Sequence, residues 1–233
     1  MRAVHRFEDQ FRLPQDYYLK QLDFLNWFRY FYIIKEVIAS GSRHVLEVGS
    51  GSGLVRNCLR PLVNRYEVLD INSELHPDIL ADVRVRQPQL EARYDCVIIA
   101  DVLEHLPFAD MPVTLGHLAS YLRPSGEVIV TVPHRRSHFL VMTPAQRPWV
   151  ITVPTGWLSP AAFYRRFIKR QIWIDPHHRW EIGDGTVGRR DVEAVFRNAG
   201  FRTQEFRKLL YVDFWVLVTP KNGPGLPPRP GRV

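Results

Sequence analysis

Three glycines on alternate positions, Gly49, Gly51 and Gly53, stand directly behind an apolar run that carries one acid, Glu47, in the stretch RHVLEVGSGSG. Glycine at that density permits a tight turn and lets a ligand reach the main chain without meeting a Cβ. Asp70 follows 21 positions after Gly49, and a carboxylate so placed can accept both hydroxyls of a ribose. Asp82 offers either an acceptor for an adenine amino group or a turn cap. A second group of reactive types lies in DVLEHL, where Asp101, Glu104 and His105 combine hard oxygen and imidazole donors. His134 and the HHRWE run that contains His178 add further imidazoles, whose ordinary pKa of about 6.5 suits proton transfer near neutrality.

These residues need elements that bring them to one edge. Apolar runs bounded by turn signals predict strands at HVLEVGS, YEVLDI, a weaker ADVRV, YDCVIIA and EVIVTVP. Helical stretches near 54–62 and across 110–122 separate them, and alternation of this kind produces a parallel sheet covered on both faces. The expectation is an α/β fold, a doubly wound Rossmann-like sheet with an insert after the fifth strand and a C-terminal antiparallel strand pair. A helix at RRDVEAVFRNAGF, stopped by Gly200, and the runs FRTQEFRKLL and YVDFWVLVTP supply that ending. The glycines then fall at the first strand-to-helix turn, where open α/β sheets bind ligands. Their spacing, G-x-G-x-G, is not the G-x-G-x-x-G that cradles a pyrophosphate.

With those motifs in order, the sequence resembles the class I S-adenosylmethionine-dependent methyltransferases. VLEVGSGSG looks like their first motif with Glu47 as its acid, EVLDI like the second, and YDCVIIADVLEHL with YLRPSGEVIVTVP like the fourth- and fifth-strand signatures. The resemblance covers about 41–133 and resumes at 189–219. It implies S-adenosylmethionine as cofactor, bound by Glu47, Gly49, Gly51, Gly53, Asp70, Asp82, Asp101 and Val102, with Glu47 giving negative charge near the ammonium and sulfonium end. The D-x-x-E-H segment is similar to one in ubiquinone-biosynthesis O-methyltransferases, where a divalent metal has been associated with it. Metal-free relatives also carry it, and the expectation is a pocket-shaping role without a metal. His134, His178 and His105 are the candidate catalytic bases. The Asn/Asp-Pro-Pro-aromatic motif of amino-methylating relatives is not matched, since the corresponding residues read ADVL, which favours an oxygen acceptor.

The chain divides on this reading into an N-terminal helical region at 1–43, a cofactor-binding core at 44–133 and an insert at 134–188. The last helix and strand pair follow at 189–220, then a Pro/Gly-rich tail at 221–233 expected to be disordered. The net charge is +7, and between Arg135 and Arg190 ten Lys/Arg face three Asp/Glu while the remainder is balanced. The same window holds Trp149, Trp157, Trp173 and Trp180. A lid helix is expected there, with Ser159 as N-cap and Phe163, Phe167, Ile168, Ile172 and Ile174 opposite Arg165, Arg166, Lys169 and Arg170. Basic and aromatic groups so interleaved fit an anionic acceptor, a small molecule, glycan or lipid-linked compound, or contact with an anionic membrane surface. An RNA methyltransferase and a catalytically silent binding module are the alternatives. Two cysteines, no leader and no apolar run of about 20 residues point to a cytoplasmic protein, peripheral to a membrane at most.

Overall fold

The computed structural model describes residues 7–142, 148–154, 160–169 and 174–219. Nine strands form, β1 (His44–Val48), β2 (Arg65–Asp70), β3 (Ile79–Leu80), β4 (Tyr94–Ala100), β5 (Leu122–Pro133), β6 (Arg136–Met142), β7 (Pro148–Pro154), β8 (Arg202–Lys208) and β9 (Val212–Val218), among the described residues. Seven of them make one sheet in the order β3-β2-β1-β4-β5-β9-β8. The first five run parallel, and β9 turns back antiparallel between β5 and β8. This is the doubly wound sheet with a C-terminal strand pair that the sequence predicts.

Alternation along the strands builds two cores. On β4, Val97 and Ile99 point to the face covered by α4 (Met111–Tyr121) and α6 (Arg189–Asn198). Cys96 and Ile98 point to the other face, covered by α2 (Phe24–Ser40) and α3 (Leu54–Leu59). Every β4 residue from Cys96 to Ile99 is fully buried, which is why the run reads as continuously apolar instead of alternating. Helix boundaries follow local chemistry. Asp23 caps α2 by accepting from the Asn26 N–H at 2.8 Å, and Gly41 ends it at φ 71°. Gly200, at φ 85°, stops the chain behind α6.

Two expectations do not hold. The third strand is only Ile79–Leu80, and ADVRV lies beyond it in a turn where Asp82 Oδ1 accepts from the Arg84 N–H. The insert opens with an antiparallel hairpin of β6 and β7 that the sequence reading does not foresee, and the helix expected from Ser159 onward is shorter among the described residues. Among the described residues its helical part is a single α-turn, α5 (Pro160–Phe163), running into a π-helical turn at Tyr164–Ile168. Phe163, Phe167 and Ile168 are exposed instead of packed. Ser159, Arg170, Ile172, Trp157, Trp173 and the tail at 221–233 lie outside the described residues, as do the side chains of Trp149 and Arg166. Trp180 is buried, donates its Nε1–H to the Leu106 carbonyl at 3.0 Å and meets Phe108 edge-on. It fastens the returning insert to the core and does not face an acceptor.

The sheet's far edge rests on Trp215, fully buried on β9 between Phe196 of α6 and Phe206 of β8, with both ring centroids 5.4 Å away. Replacing it with alanine, W215A, should lower the unfolding free energy by about 3–5 kcal/mol. Denaturant unfolding reads this directly, and a loss below about 1 kcal/mol would mean the ring is not wedged as described.

Candidate functional site

A cavity of about 540 Å³ opens at the C-terminal edge of β1, β2 and β4. That size lies in the range of small-ligand pockets, and the place is the switch point where strand order reverses between β1 and β4. Gly49 and Gly51 line it, as do Glu47, Asp70, Asp82, Asp101, Val102, His105 and His178. Gly53 closes the same turn as the residue before α3.

All three glycines have positive φ, at 77°, 47° and 70° for Gly49, Gly51 and Gly53. A Cβ on Gly49 would run into Val102 Cγ2, and one on Gly53 into Gln15 Nε2. The turn therefore needs glycine for its backbone and also for its neighbours.

Asp70, at the end of β2, receives the Ser50 N–H at 3.1 Å and the Asn72 N–H at 2.9 Å. Burial nevertheless raises its pKa. Glu47 is 4% exposed, accepts from the Tyr66 hydroxyl at 2.9 Å, and is pushed by burial up to about 8. Without a cation beside it, such a carboxyl keeps its proton at neutral pH. Asp82 is instead held low by its hydrogen bonds to Arg84.

Asp101 sits at the end of β4 in the left-handed region, φ 52°. Its carboxylate pairs with the Arg29 guanidinium from α2, accepts from the Thr131 hydroxyl at 2.6 Å, and lies 3.1 Å from the Tyr211 hydroxyl. This engagement takes Asp101 away from Glu104 and His105, so the D-x-x-E-H residues do not form one cluster. His178, from the returning insert, stands beside Glu104 and His105 in its place. Burial brings Glu104 up to about 7 and His105 down to about 4. Burial also opposes a charge on His178, but its hydrogen bond to Glu181 and the nearby Glu104 carboxylate outweigh it and raise its pKa.

His134 does not join them. It is 5% exposed, its Nε2 lies 3.4 Å from the Leu209 carbonyl, and it is not among the residues lining the cavity. A histidine directly after β5 is drawn into the bridge with Ile182 that sews the insert's return onto the sheet.

Other lining residues leave no clear mark in the sequence. Arg29, Tyr30 and Asn26 of α2 and Gln10, Leu13 and Tyr18 near the N-terminus form one wall. Gln15 donates to the Ser52 carbonyl at 2.8 Å, and Asn72 donates to the Leu13 carbonyl at 2.8 Å, so α1 (Gln15–Lys20) lies across the glycine turn. The available signal was Arg29, a cation in the middle of an aromatic helix. It is buried, and its Nε has no hydrogen-bond partner among the described residues.

The donor set fits the cofactor implied by the sequence. Backbone free of Cβ atoms at the turn, an acid at the end of β2, an acid on β1 and a buried guanidinium match ribose hydroxyls, an ammonium group and a carboxylate. A family model described as a methyltransferase domain matches residues 29–205. The chain belongs to this family and is an S-adenosylmethionine-dependent methyltransferase. A search of curated proteins gives no match. Among solved structures, it is similar to the N-methyltransferase NodS from Bradyrhizobium japonicum bound to S-adenosylhomocysteine, at TM-score 0.60 and 14% identity over 92% of this chain and 96% of that one. A Leishmania major methyltransferase gives 0.59 and 14% over 91% and 81%. One from Clostridium acetobutylicum gives 0.55 and 10% over 86% and 93%. At these identities the likeness is one of fold.

A cation placed beside Glu47 favours its carboxylate, so binding should expel the proton that burial retains. Calorimetry with S-adenosylmethionine at pH 7, run in buffers of different ionisation heat, should show net proton release. Affinity should rise as pH increases from about 5 to about 8, by up to roughly tenfold per unit. Glu47→Gln should remove most of the release, and equal heats in all buffers would place Glu47 away from the cationic end.

Proposed function

We propose that this cavity binds S-adenosylmethionine and that the enzyme methylates an oxygen of a small-molecule acceptor, glycan and lipid-linked compounds included. The observation that carries the reading is that the glycine turn, Asp70 and the His105/His178 pair line one continuous space. Asp70 takes the ribose hydroxyls, the main chain at Gly49 and Gly51 lies along the nucleoside, and Val102 packs beside it. Asp82 is placed to meet the adenine amino group. Glu47 meets the ammonium group, and the Arg29 guanidinium, which lines the cavity while paired with Asp101, serves the methionine carboxylate.

Methyl transfer breaks the sulfur–carbon bond as the oxygen–carbon bond forms, releasing S-adenosylhomocysteine and the acceptor's proton. The protein's part is chiefly alignment and proton removal. His105 Nδ1 lies 2.8 Å from the His177 carbonyl, which can only accept, so the ring proton is on Nδ1 and the Nε2 lone pair is available. His178, whose pKa is raised by its hydrogen bond to Glu181 and the nearby Glu104, lines the cavity beside it, and the buried Glu104 carboxyl stands behind the two rings.

The insert supplies the acceptor-side wall through Asp175, His177, His178 and Arg179. Arg179 is exposed there and is placed to meet an anionic group of the acceptor. Arg165 and Lys169 do not line the cavity. A lipid-linked acceptor is favoured by exposed apolar side chains, Phe163, Phe167 and Ile168 in the insert and Trp27 and Phe31 on α2, which can contact an apolar interface. No helix among the described residues is long and apolar enough to cross a membrane.

Asp70→Ala should weaken S-adenosylmethionine by about 1.5–3 kcal/mol, the scale for hydrogen bonds to a charged group. Calorimetry on the folded variant tests it. Unchanged affinity would remove the ribose role from Asp70, and the cofactor would then have to lie in another orientation.

A further inference from the structure

Glu104 is fully buried just beyond β4, yet neither of its carboxylate oxygens has a hydrogen-bond partner among the described residues. A carboxylate withdrawn from water needs a compensating proton or cation. Two imidazoles adjoin it. His178 Nε2 lies 3.9 Å from Glu104 Oε1, and the His105 and His178 rings meet edge-on with centroids 4.8 Å apart. One donor atom from each of Glu104, His105 and His178 falls within 4.8 Å of the others.

Both rings are held from behind in the same way. His105 Nδ1 is 2.8 Å from the His177 carbonyl oxygen, and His178 Nδ1 is 2.8 Å from Glu181 Oε1. In the neutral rings, these acceptors keep the proton on Nδ1 and leave a lone pair on Nε2. Acceptors placed behind two imidazoles in this manner orient metal-binding histidines and raise their basicity. Glu181 is itself fixed, accepting from Arg135 Nη1 at 3.0 Å and from the Asp175 N–H at 2.9 Å.

We propose that Glu104, His105 and His178 form a divalent-cation site, open toward the cavity, that takes zinc, manganese or ferrous iron in preference to magnesium or calcium. Two nitrogens and one oxygen are the donor set for such ions, whereas magnesium and calcium call for oxygen ligands throughout. This revises the expectation of a metal-free pocket, and it changes the membership of the site. Asp101 is committed to Arg29, and the third ligand comes from the insert. A bound cation would tie the loop after β4 to the insert's return. Its chemical use rests on the proposed methylation of an oxygen acceptor in this cavity. A cation beside the acceptor oxygen lowers the proton affinity of a hydroxyl, which then loses its proton to water in place of direct abstraction by His105.

The test needs no cofactor, so its outcome is independent of the Asp70 experiment. Tag-free protein stripped of metal is titrated with Zn²⁺, Mn²⁺, Co²⁺ and Mg²⁺ by calorimetry, and the Co²⁺ complex is followed by its visible absorption. The expected result is one saturable site per chain for Zn²⁺ and Co²⁺, with Mg²⁺ much weaker. Glu104→Gln, which keeps the shape of the side chain, and His178→Ala, which removes a part-exposed ring, should each weaken Zn²⁺ by at least tenfold with thermal unfolding still cooperative. Glu181→Gln should weaken it about tenfold, as expected for a group behind a ligand. His117→Ala, on α4 and outside the cluster, should leave it unchanged. Absence of Zn²⁺ and Co²⁺ binding to the unmodified protein would overturn the proposal, as would equal affinity in folded Glu104→Gln and His178→Ala, or a clear preference for Mg²⁺.

Discussion

The ion pair between Arg29 and Asp101 sets the geometry on which the cavity depends. Both charges are largely out of water, and such a pair is tolerable only when its remaining hydrogen-bonding capacity is met from several directions. In this chain α2 brings the guanidinium, β4 ends in the carboxylate, β5 gives the Thr131 hydroxyl and the turn between β8 and β9 brings Tyr211. Four elements thus converge on one carboxylate. Asp101 adopts a left-handed backbone to reach that position, a strain that persists only because its surroundings over-determine it. Helix α2 is thereby fixed to the ligand edge of the sheet.

Around that pair stand several acids raised by burial, Glu47 and Asp70 in the lining of the cavity and Glu104 behind it. A small-molecule site lined by under-solvated carboxyls gains most from ligands that bring cations or donors. In the proposed binding mode the sulfonium and ammonium groups of S-adenosylmethionine are such partners for Glu47 and ribose hydroxyls for Asp70, and in the proposed cation site a metal ion is the partner for Glu104.

Much of this was legible in the sequence because parallel strands buried on both faces leave an unmistakable apolar pattern. The turn between β1 and α3 likewise favours glycine at defined positions, each with positive φ. Gly49, Gly51, Gly53, Glu47 and Asp70 are joined by chain continuity and strand length, so spacing alone placed them on one edge. His178 and Arg29 were harder to assign. Their roles arise from long-range docking, the first through the Glu181 and Trp180 anchors of the insert, the second through the burial of a charge inside an aromatic helix. Neither leaves a periodic signature. His134 shows the opposite case, a residue with the right type and position whose ring is turned to a backbone carbonyl. The β6/β7 hairpin was missed because its apolar runs lie among basic and proline residues that weaken the alternation.

The cover over the glycine turn is slight. Helix α1 spans six residues, none of them buried, and its hold on the turn comes from side-chain hydrogen bonds such as those of Gln15 and Asn72. A cover of that construction can lift without disturbing the sheet, since no core residue moves with it. The same segment also reaches the insert, where Gln10 Nε2 donates to the His177 carbonyl at 3.4 Å and the Tyr18 hydroxyl of α1 donates to the Gln10 carbonyl at 3.2 Å, so one latch of side-chain hydrogen bonds spans the glycine turn and the insert's wall of the cavity together.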